Sequence, residues 1–281
     1  MSEMLMCPIC REALHLEGKA WQCENRHSYD QAKQGYVNLH VVQHKHSKSP
    51  GDTPDAVAAR RRFLQSGAYQ PLQQAVSELL QSISAKTLLD IGCGEGYYTQ
   101  AMADVVPQVV AVDIAKSAVQ TAAKQSQHGN ENKNNKTQEI TWVVGTGAML
   151  PVLDQSMDVC TSLFSPLPKM EMLRVLKKQG YLIIATPAPQ HLFAMREALF
   201  DEVKAHEPDK FVTQMSPEFS LISKQIITTD LNLNQQQLED LIAMTPYAWK
   251  AKADKRQALE AHQSFQLSAS FCLFLLQKCV D

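Results

Sequence analysis

A short glycine-rich stretch directly after an apolar run most constrains how this chain can fold. Residues 88–100 read LLDIGCGEGYYTQ, and Gly92, Gly94 and Gly96 come just after Asp90 and the end of the run. Glycine adopts positive φ and lets a ligand approach the backbone closely. In a sheet covered by helices, such a turn places the ligand beyond the carboxyl end of the strand, near a helix N-terminus. The stretch therefore predicts a ligand-binding turn between a strand and a helix.

The segments around this turn predict the sheet that would hold it. Apolar runs alternate with helical segments as far as residue 187; the runs are TLLDIG, VVAVDI, ITWVVG, SMDVCTSLF and GYLIIATP. Nearly all-apolar strands that alternate with helices indicate a parallel sheet covered on both faces. Two more strands are predicted, in KQIITTD and FQLSASFCLFLLQ. Between them lies a helix with Asn234 as its N-cap.

A second acidic residue indicates what the turn could bind. Asp113 closes the run VVAVDI, about 20 residues after the glycines, where an acid can bind the two hydroxyls of an adenosine ribose. The acid at Asp90 and the G-x-G-x-G spacing both differ from a dinucleotide fingerprint. The alternative is that Asp90 only caps the turn and Asp113 only ends a strand.

This pattern resembles the class I S-adenosylmethionine-dependent methyltransferases. The resemblance implies an α/β fold with a doubly wound, mainly parallel seven-stranded sheet. It implies that Asp90, Gly92 and Gly94 surround the methionine part of the cofactor and that Asp113 holds the ribose. Many members carry an acid just after strand three, where this chain has Gly145-Thr146-Gly147. Backbone groups are therefore expected to meet the adenine.

The N-terminus carries a metal-binding pattern. Cys7, Cys10, Cys23 and His27 follow the spacing C-x₂-C-x₁₂-C-x₃-H, which offers three thiolates and an imidazole. Zinc takes four such ligands tetrahedrally, and a site closed by four protein ligands is structural. His15 is a weaker candidate for the fourth ligand, and chance clustering of thiols is the alternative. We predict one structural zinc ion and a small domain that needs it to fold.

Composition limits the other possibilities. The 281 residues carry a formal charge of −2, which gives no global signal for nucleic acid. No signal-peptide pattern precedes the cysteines, and the longest apolar run, FCLFLL, is far shorter than a membrane span. A reducing, cytoplasmic location without a membrane partner is expected.

Local positive charge could still bind RNA. Basic residues gather after the cysteine cluster, at Arg26, Lys33, Lys45, Lys48 and 60–62, and such clusters bind phosphates. Tyr29 and Tyr36 could stack on splayed bases. The alternative reading of residues 60–62 is a solvated helix face.

These differences in composition and motifs divide the chain into three regions. We predict a zinc-binding RNA-recognition domain over residues 1–40, a basic linker and first helix over 41–70, and a methyltransferase domain over 71–281. Residues 125–139 are rich in asparagine and predict an exposed connection, within which 127–137 look inserted.

The order of several blocks resembles one family over nearly the whole chain. The blocks are CPIC…CENRH, QGYVNL, HKHSKSPGD, ARRRFLQSGAYQPL, LDIGCGEGYYT, ATPAPQHL and MTPYAW. They look like the RlmA-type 23S rRNA guanine-N1 methyltransferases. The resemblance implies zinc binding by the four N-terminal ligands and S-adenosylmethionine binding by residues including Tyr69, Gly94, Glu95 and His191. It further implies a guanine in a 23S rRNA hairpin loop as substrate, and a homodimer. The block LFSPLP departs from the family beside the expected base pocket, and no residue is identified as the proton acceptor.

Two other functions remain open at this point. The sheet alone would also suit a methyltransferase for a metabolite, although the zinc-binding domain and basic segment would then lack a purpose. A non-catalytic RNA-binding adaptor with a retained fold is the third possibility, and the intact DIGCGEG stretch and Asp113 argue against it.

Overall fold

The computed structural model describes residues 4–41, 52–130 and 139–279 and contains one large and one small sheet. The small sheet consists of β1 (His15–Glu17), β2 (Ala20–Gln22) and β3 (Ser28–Asp30). The large sheet consists of β4 (Tyr36–Asn38), β5 (Thr87–Ile91), β6 (Gln108–Asp113), β7 (Glu139–Val144), β8 (Met157–Leu163), β9 (Leu176–Pro187), β10 (Phe219–Asn234) and β11 (Ser264–Lys278).

Ten helices are described around the large sheet. They are α1 (Pro54–Gln65), α2 (Gln70–Ser82), α3 (Tyr97–Ala103), α4 (Lys116–Asn130), α5 (Lys169–Val175), α6 (Phe193–Leu199), α7 (Asp209–Met215), α8 (Gln235–Ala243), α9 (Tyr247–Lys250) and α10 (Ala253–Glu260). In the part of the chain that the structure describes, no helix is both long and apolar enough to cross a bilayer.

The strand order of the large sheet confirms the predicted fold class. The order is β10-β11-β9-β8-β5-β6-β7-β4; β11 is antiparallel to both of its neighbours, β9 and β10, and all other neighbouring strands are parallel. The seven strands β5 to β11 are the predicted sheet, and β4 adds an eighth at one edge. The chain builds outward from β5 on one side and then crosses to β8 on the other. Ligands of open α/β sheets bind where the order reverses in this way.

The N-terminal unit (residues 4–41) is built into this sheet. Its last strand, β4, pairs in parallel with β7, and Tyr36 lies opposite Trp142. Leu5 forms an isolated bridge with Val152 and is 1% exposed. Side chains of the unit share one apolar cluster with residues of the large sheet. The domain boundary at residue 40 stays a prediction, but the end of the unit lies in the large sheet.

Most secondary-structure predictions agree with the structure, and two segments differ in length. Helix α4 continues to Asn130, into the segment predicted as a connection. Strand β10 has 16 residues, far more than KQIITTD, because it pairs with β11 along its whole length. Residues 131–138 and 42–51, with Lys45 and Lys48, lie outside the described residues.

Hydrogen bonds at helix ends explain two of the helices near the site. Thr53 caps α1 by accepting from the Ala56 N–H, and Asn234 forms a capping box with Gln237 at the start of α8, as predicted. Arg62 of α1 donates to both carboxylate oxygens of Asp240 in α8, at 2.6–3.2 Å. This bidentate pair joins α1 to α8.

Candidate functional site

The glycine turn is tightly formed by its backbone. Gly92, Gly94 and Gly96 have φ values of 74°, 55° and 84°. The Gly92 N–H donates to the Val112 carbonyl at 2.8 Å, which ties the turn to β6. A Cβ on Gly92 would lie 2.4 Å from the Cβ of Ser165. The turn therefore requires glycine both for its φ and for its close approach to the segment after β8.

Asp90 supports this turn from inside the protein. Its two carboxylate oxygens accept from the Thr99 hydroxyl at 2.6 Å and the Thr161 hydroxyl at 2.8 Å. Burial raises the pKa of Asp90 to about 6, against the effect of these two hydrogen bonds. These contacts fit the alternative role of holding the turn between α3 and β8. The direct contact with the cofactor stays a prediction.

Asp113 connects the end of β6 with the turn. Its Oδ2 accepts from the Gly94 N–H at 2.8 Å, and its Oδ1 accepts from the Ala115 N–H at 2.7 Å. Burial raises its pKa, and the two N–H donors oppose the shift. The carboxylate is therefore held at the carboxyl edge of the sheet, where the predicted ribose contact would occur. That contact stays a prediction.

Glu95 is the carboxylate at the turn that lacks a full set of partners. It is 4% exposed, and its Oε2 has no hydrogen bond in the structure. Burial raises its pKa, and Arg60, whose Nη1 lies 3.9 Å from Oε2, opposes the shift. A buried acceptor without a donor costs free energy, and a ligand hydroxyl or amine at the turn would satisfy it. The turn with Glu95 and Asp113 fits S-adenosylmethionine on these grounds.

Arg60 is a site residue that the sequence reasoning assigned to a basic patch. It forms an ion pair with Asp52 at 2.5 Å, and its Nη1 lies 3.7 Å from where a Gly94 Cβ would be. Arg60 is three residues from both Val57 and Phe63, which are buried. That helical spacing was the signal that Arg60 faces inward.

Tyr69 and His191 lie together on a second part of the site. The rings of both residues contact Phe271, with centroid distances of 4.7 Å and 4.8 Å. The His191 Nδ1 lies 2.9 Å from the Ser270 carbonyl, and burial chiefly lowers its pKa to about 3. Burial likewise raises the pKa of Tyr69. Both side chains are neutral at pH 7, and their predicted contacts with the cofactor stay predictions.

Phe164 joins this aromatic cluster to the turn. Its ring lies 5.4 Å from Phe271 and 6.4 Å from Tyr98, which follows the glycine turn. Phe164 is 45% exposed and has a φ of 63°, an unfavourable conformation for a bulky side chain. Such strain is concentrated at functional sites. The sequence block LFSPLP contains this residue, and the adjacent Ser165 donates its hydroxyl to the Ile91 carbonyl at 2.5 Å.

The four predicted metal ligands converge on one point. Their donor atoms lie within 4.8 Å of one another, and Cys23 Sγ is 3.4 Å from His27 Nδ1 and 3.5 Å from Cys10 Sγ. A tetrahedron with zinc–ligand bonds of about 2.0–2.3 Å has edges of about 3.3–3.8 Å. Three thiols and an imidazole at these distances fit a structural zinc ion. His27, not His15, completes the cluster.

Part of the predicted basic patch is paired with carboxylates, whereas Arg26, Lys33 and Arg61 are exposed. Arg60 and Arg62 are committed to Glu95, Asp52 and Asp240. Tyr36 is 6% exposed in the sheet, and the Tyr29 hydroxyl lies 3.4 Å from Cys7 Sγ in the metal cluster. Tyr36 is therefore buried in the sheet, and the partly buried Tyr29 contacts the metal cluster through its hydroxyl.

The comparisons with known proteins agree with both parts of the site. Residues 5–48 match the family described as "RlmA, N-terminal", and residues 89–184 match a family described as "Methyltransferase domain". The chain is a methyltransferase with the class I fold. Its N-terminal unit is an RlmA zinc ribbon, which makes it a relative of the RlmA-type methyltransferases.

Two curated relatives cover most of the chain. A Streptomyces fradiae protein named 23S rRNA (guanine(748)-N(1))-methyltransferase is 28% identical over 258 residues, 89% of this chain and 88% of its own. A Bacillus subtilis (strain 168) protein, provisionally named for the same guanine-N1 reaction, is 28% identical over 285 residues, 98% and 97% of the two chains. The solved structure of the YcgJ protein from Bacillus subtilis has a TM-score of 0.51 and 16% identity, and the match covers 74% of this chain and 99% of that one. At that identity, the likeness shows the fold alone.

Proposed function

We propose that this chain transfers the methyl group of S-adenosylmethionine to N1 of a guanine in a hairpin loop of 23S rRNA. The observation that carries the proposal is the pairing of a Cys₃His cluster with a methyltransferase turn in one connected structure. The Streptomyces fradiae relative, named for methylation of a 23S rRNA guanine at N1, aligns over 89% of this chain. The reaction is proposed to occur in the cytoplasm.

The residues at the turn would act by positioning. S-adenosylmethionine supplies an activated methyl group, so alignment of donor and acceptor is the main requirement. Asp90, through Thr99 and Thr161, holds the turn, and the free Glu95 oxygen would accept a hydrogen bond from the cofactor. The N1 proton of guanine must also leave. We assign no proton acceptor, because both carboxylate oxygens of Asp90 already accept hydrogen bonds and burial lowers the pKa of His191 to about 3, which makes it a weak base.

The exposed edge of the aromatic cluster is the proposed place for the guanine. Loop bases can leave the stack at a cost of a few kcal/mol and stack on aromatic side chains. Phe164 is half-exposed, and the nearby Tyr98 hydroxyl has no hydrogen-bond partner in the structure. We propose that the Phe164 ring contacts the base and that the Tyr98 hydroxyl bonds to its polar edge.

The alternative substrates have weaker support. A Serratia marcescens malonyl-[acyl-carrier protein] O-methyltransferase is 27% identical, but over 173 residues that make up 58% of this chain. A small-molecule reaction would leave the metal cluster without a role in substrate recognition, and an RNA-binding adaptor would leave the intact glycine turn and Asp113 without a ligand. A homodimer that brings two zinc-binding units to one RNA is also proposed, and sedimentation of the purified protein tests it.

The test uses purified, zinc-loaded protein, labelled S-adenosylmethionine and 23S rRNA from cells that lack the gene. We expect labelled N1-methylguanine at one hairpin position by mass mapping. Phe164→Ala should lower kcat by about tenfold while S-adenosylmethionine affinity stays unchanged, since a base stack on an aromatic ring contributes about 1–3 kcal/mol. Met170→Ala is the control, because Met170 is 73% exposed without a place in the cluster. Absence of label in guanine with intact cofactor binding would refute the proposed function.

A further inference from the structure

A small cavity beside the aromatic cluster has an excess of positive charge. It has a volume of about 240 Å³ and lies between α6, the segment after α6, and α9. At roughly 30 Å³ per water molecule, that volume holds a phosphate group and several waters. The polar side chains that line it are Arg196, Lys204, His206, Tyr247, Lys250 and Glu202. We call this cavity the Arg196 pocket.

Arg196 is buried without a carboxylate partner. It is 6% exposed, and its Nη1 and Nη2 donate to the main-chain carbonyls of His191, at 3.4 Å, and Lys204. Within residues 4–41, 52–130 and 139–279, no ion pair joins it to an acid. A buried guanidinium is costly unless an anion or acceptors compensate it. The two carbonyl groups accept from only part of its N–H donors and do not neutralise its charge. The remaining donors and the positive charge are therefore available to a ligand.

The groups around Arg196 do not cancel this charge. Burial, together with the nearby Arg196 and Lys210, lowers the pKa of His206 to about 4, so this ring is neutral at pH 7. The acid lining the cavity, Glu202, is largely exposed and lies 3.9 Å from Lys204. Asp201, beside it in sequence, forms ion pairs with Lys252 and Lys255. The Arg196 pocket therefore presents three cationic side chains and one solvated carboxylate.

The surroundings of the pocket indicate a nucleic acid as the source of the anion. Trp249, adjacent to Lys250, is 69% exposed, and an exposed aromatic ring beside basic groups can stack on a base. The His206 ring lies 6.3 Å from His191, which contacts Phe271, the neighbour of Phe164. A strand of RNA with its guanine at Phe164 could therefore reach this pocket with a flanking nucleotide.

We propose that the Arg196 pocket binds a backbone phosphate of the RNA substrate, with Trp249 against a neighbouring base. Arg196 would donate to the phosphate oxygens from the buried side, and Lys204 and Lys250 would close the pocket from solvent. The RNA identity of the ligand rests on the proposed function, whereas the phosphate chemistry of the pocket does not.

The first experiment tests the pocket without RNA. Thermal unfolding of the full, zinc-loaded chain is followed in phosphate and in chloride at equal ionic strength. Phosphate should raise the Tm of the wild type, because a ligand that binds only the folded state stabilises it. The rise should disappear in the double variant Lys204→Gln, Lys250→Gln, whose positions are exposed and tolerate the change. An equal rise in Tm in the wild type and the variant would contradict phosphate binding in the Arg196 pocket.

The second experiment tests the source of the phosphate. Binding of the unmodified rRNA hairpin is measured as a function of salt. Lys250→Gln should raise KM for RNA severalfold and reduce the slope of log K against log salt by about 0.7, the value for one contact to single-stranded nucleic acid. KM for S-adenosylmethionine should not change. The matched control is Lys252→Gln, which removes the same charge two residues away but from a lysine paired with Asp201.

The two experiments separate the possible failures. Identical RNA slopes for Lys250→Gln and Lys252→Gln, with the phosphate effect on Tm intact, would leave an anion pocket and overturn its role in RNA binding. If phosphate does not raise the Tm of the wild type either, the result would overturn the site itself. Failure of rRNA to accept methyl groups from the wild type would refute the proposed function and leave the first experiment valid.

Discussion

The metal cluster and the glycine turn are two polar sites in one structure, and they differ in what holds them together. In the N-terminal unit, three thiols and an imidazole lie within 4.8 Å of one another, and a zinc ion would join all four as ligands. At the turn, Asp90 and Asp113 are already satisfied by four hydrogen bonds within the protein. The cluster therefore needs its ligand in order to fold, whereas the turn is formed before its ligand binds.

This difference agrees with the cores around the two sites. The sheet around the turn is packed on both faces by large apolar clusters, but the N-terminal unit has four short strands and shares its core with the sheet. A unit of that size cannot bury enough apolar surface to be stable alone. Ligand removal should consequently affect the two regions very differently.

Loss of a metal ligand should have the largest effect. Cys23→Ser should release the zinc ion, and the binding free energy of a structural zinc, about 10–16 kcal/mol, is largely folding free energy. We expect rRNA methylation to be lost while S-adenosylmethionine binding, measured by calorimetry, largely survives. Cys279→Ser, at an exposed position, is the control. Loss of cofactor binding together with zinc would show that the two regions unfold as one.

A side chain in the turn should have the next largest effect. Gly92→Ala would place a Cβ 2.4 Å from Ser165 at a φ of 74°, and crowding with backbone strain costs about 2–5 kcal/mol. S-adenosylmethionine affinity should fall by at least about tenfold while zinc content stays at one ion per chain. Gly18→Ala has a similar φ of 62° and no neighbour within 4 Å, so it isolates the backbone strain. An equal decrease in the free energy of unfolding of both variants would contradict the role of the Ser165 contact.

Removal of the Asp90 charge should change how stability depends on pH. The folded pKa of about 6 lies above the ordinary 3.8, so this carboxyl stabilises the fold fully below pH 4 and loses that contribution as pH rises to about 6. At 1.36 kcal/mol per pKa unit, the shift corresponds to about 2–3 kcal/mol.

The variant Asp90→Asn does not titrate at this position. Between pH 4 and pH 7, the wild type should therefore lose about 2–3 kcal/mol more of its free energy of unfolding than the variant does. Urea unfolding of both proteins at each pH measures this difference, and titrations shared by the two proteins cancel. A difference that stays constant over this range would contradict the raised pKa.

The smallest effect is expected at the unsatisfied carboxylate. Glu95→Gln keeps the shape but removes the charge that would accept a cofactor hydrogen bond, so affinity for S-adenosylmethionine should fall about tenfold, or about 1.4 kcal/mol. Stability without cofactor should not fall, because a buried charge is removed. Glu78→Gln, on the exposed face of α2, serves as the control. An unchanged affinity would place the cofactor away from Glu95.

Patterns that are local in sequence predicted much of both sites. The four metal ligands were identified by spacing because a short loop determines where two cysteines point. The seven strands β5 to β11 and the glycine turn were predicted because periodicity and glycine conformation are local properties. Asn234 was identified as an N-cap for the same reason.

Contacts between distant segments were not predictable in this way. Arg60 and Arg62 looked alike in sequence, yet one lies at the turn and the other binds Asp240, 178 residues away. Tyr36 looked available for RNA until β4 paired with β7. The isolated charge of Arg196 also has no sequence signal, because it depends on which acids the fold brings near.

The sequence by itself determined the class of sheet, the glycine turn and the identity of the metal ligands. These features depend on backbone conformations and donor atoms that neighbouring residues specify. Only the tertiary structure decided which charged and aromatic side chains are free to bind a ligand. That outcome depends on burial and on partners from remote segments, as the Glu95 oxygen without a hydrogen bond and the exposed ring of Phe164 show.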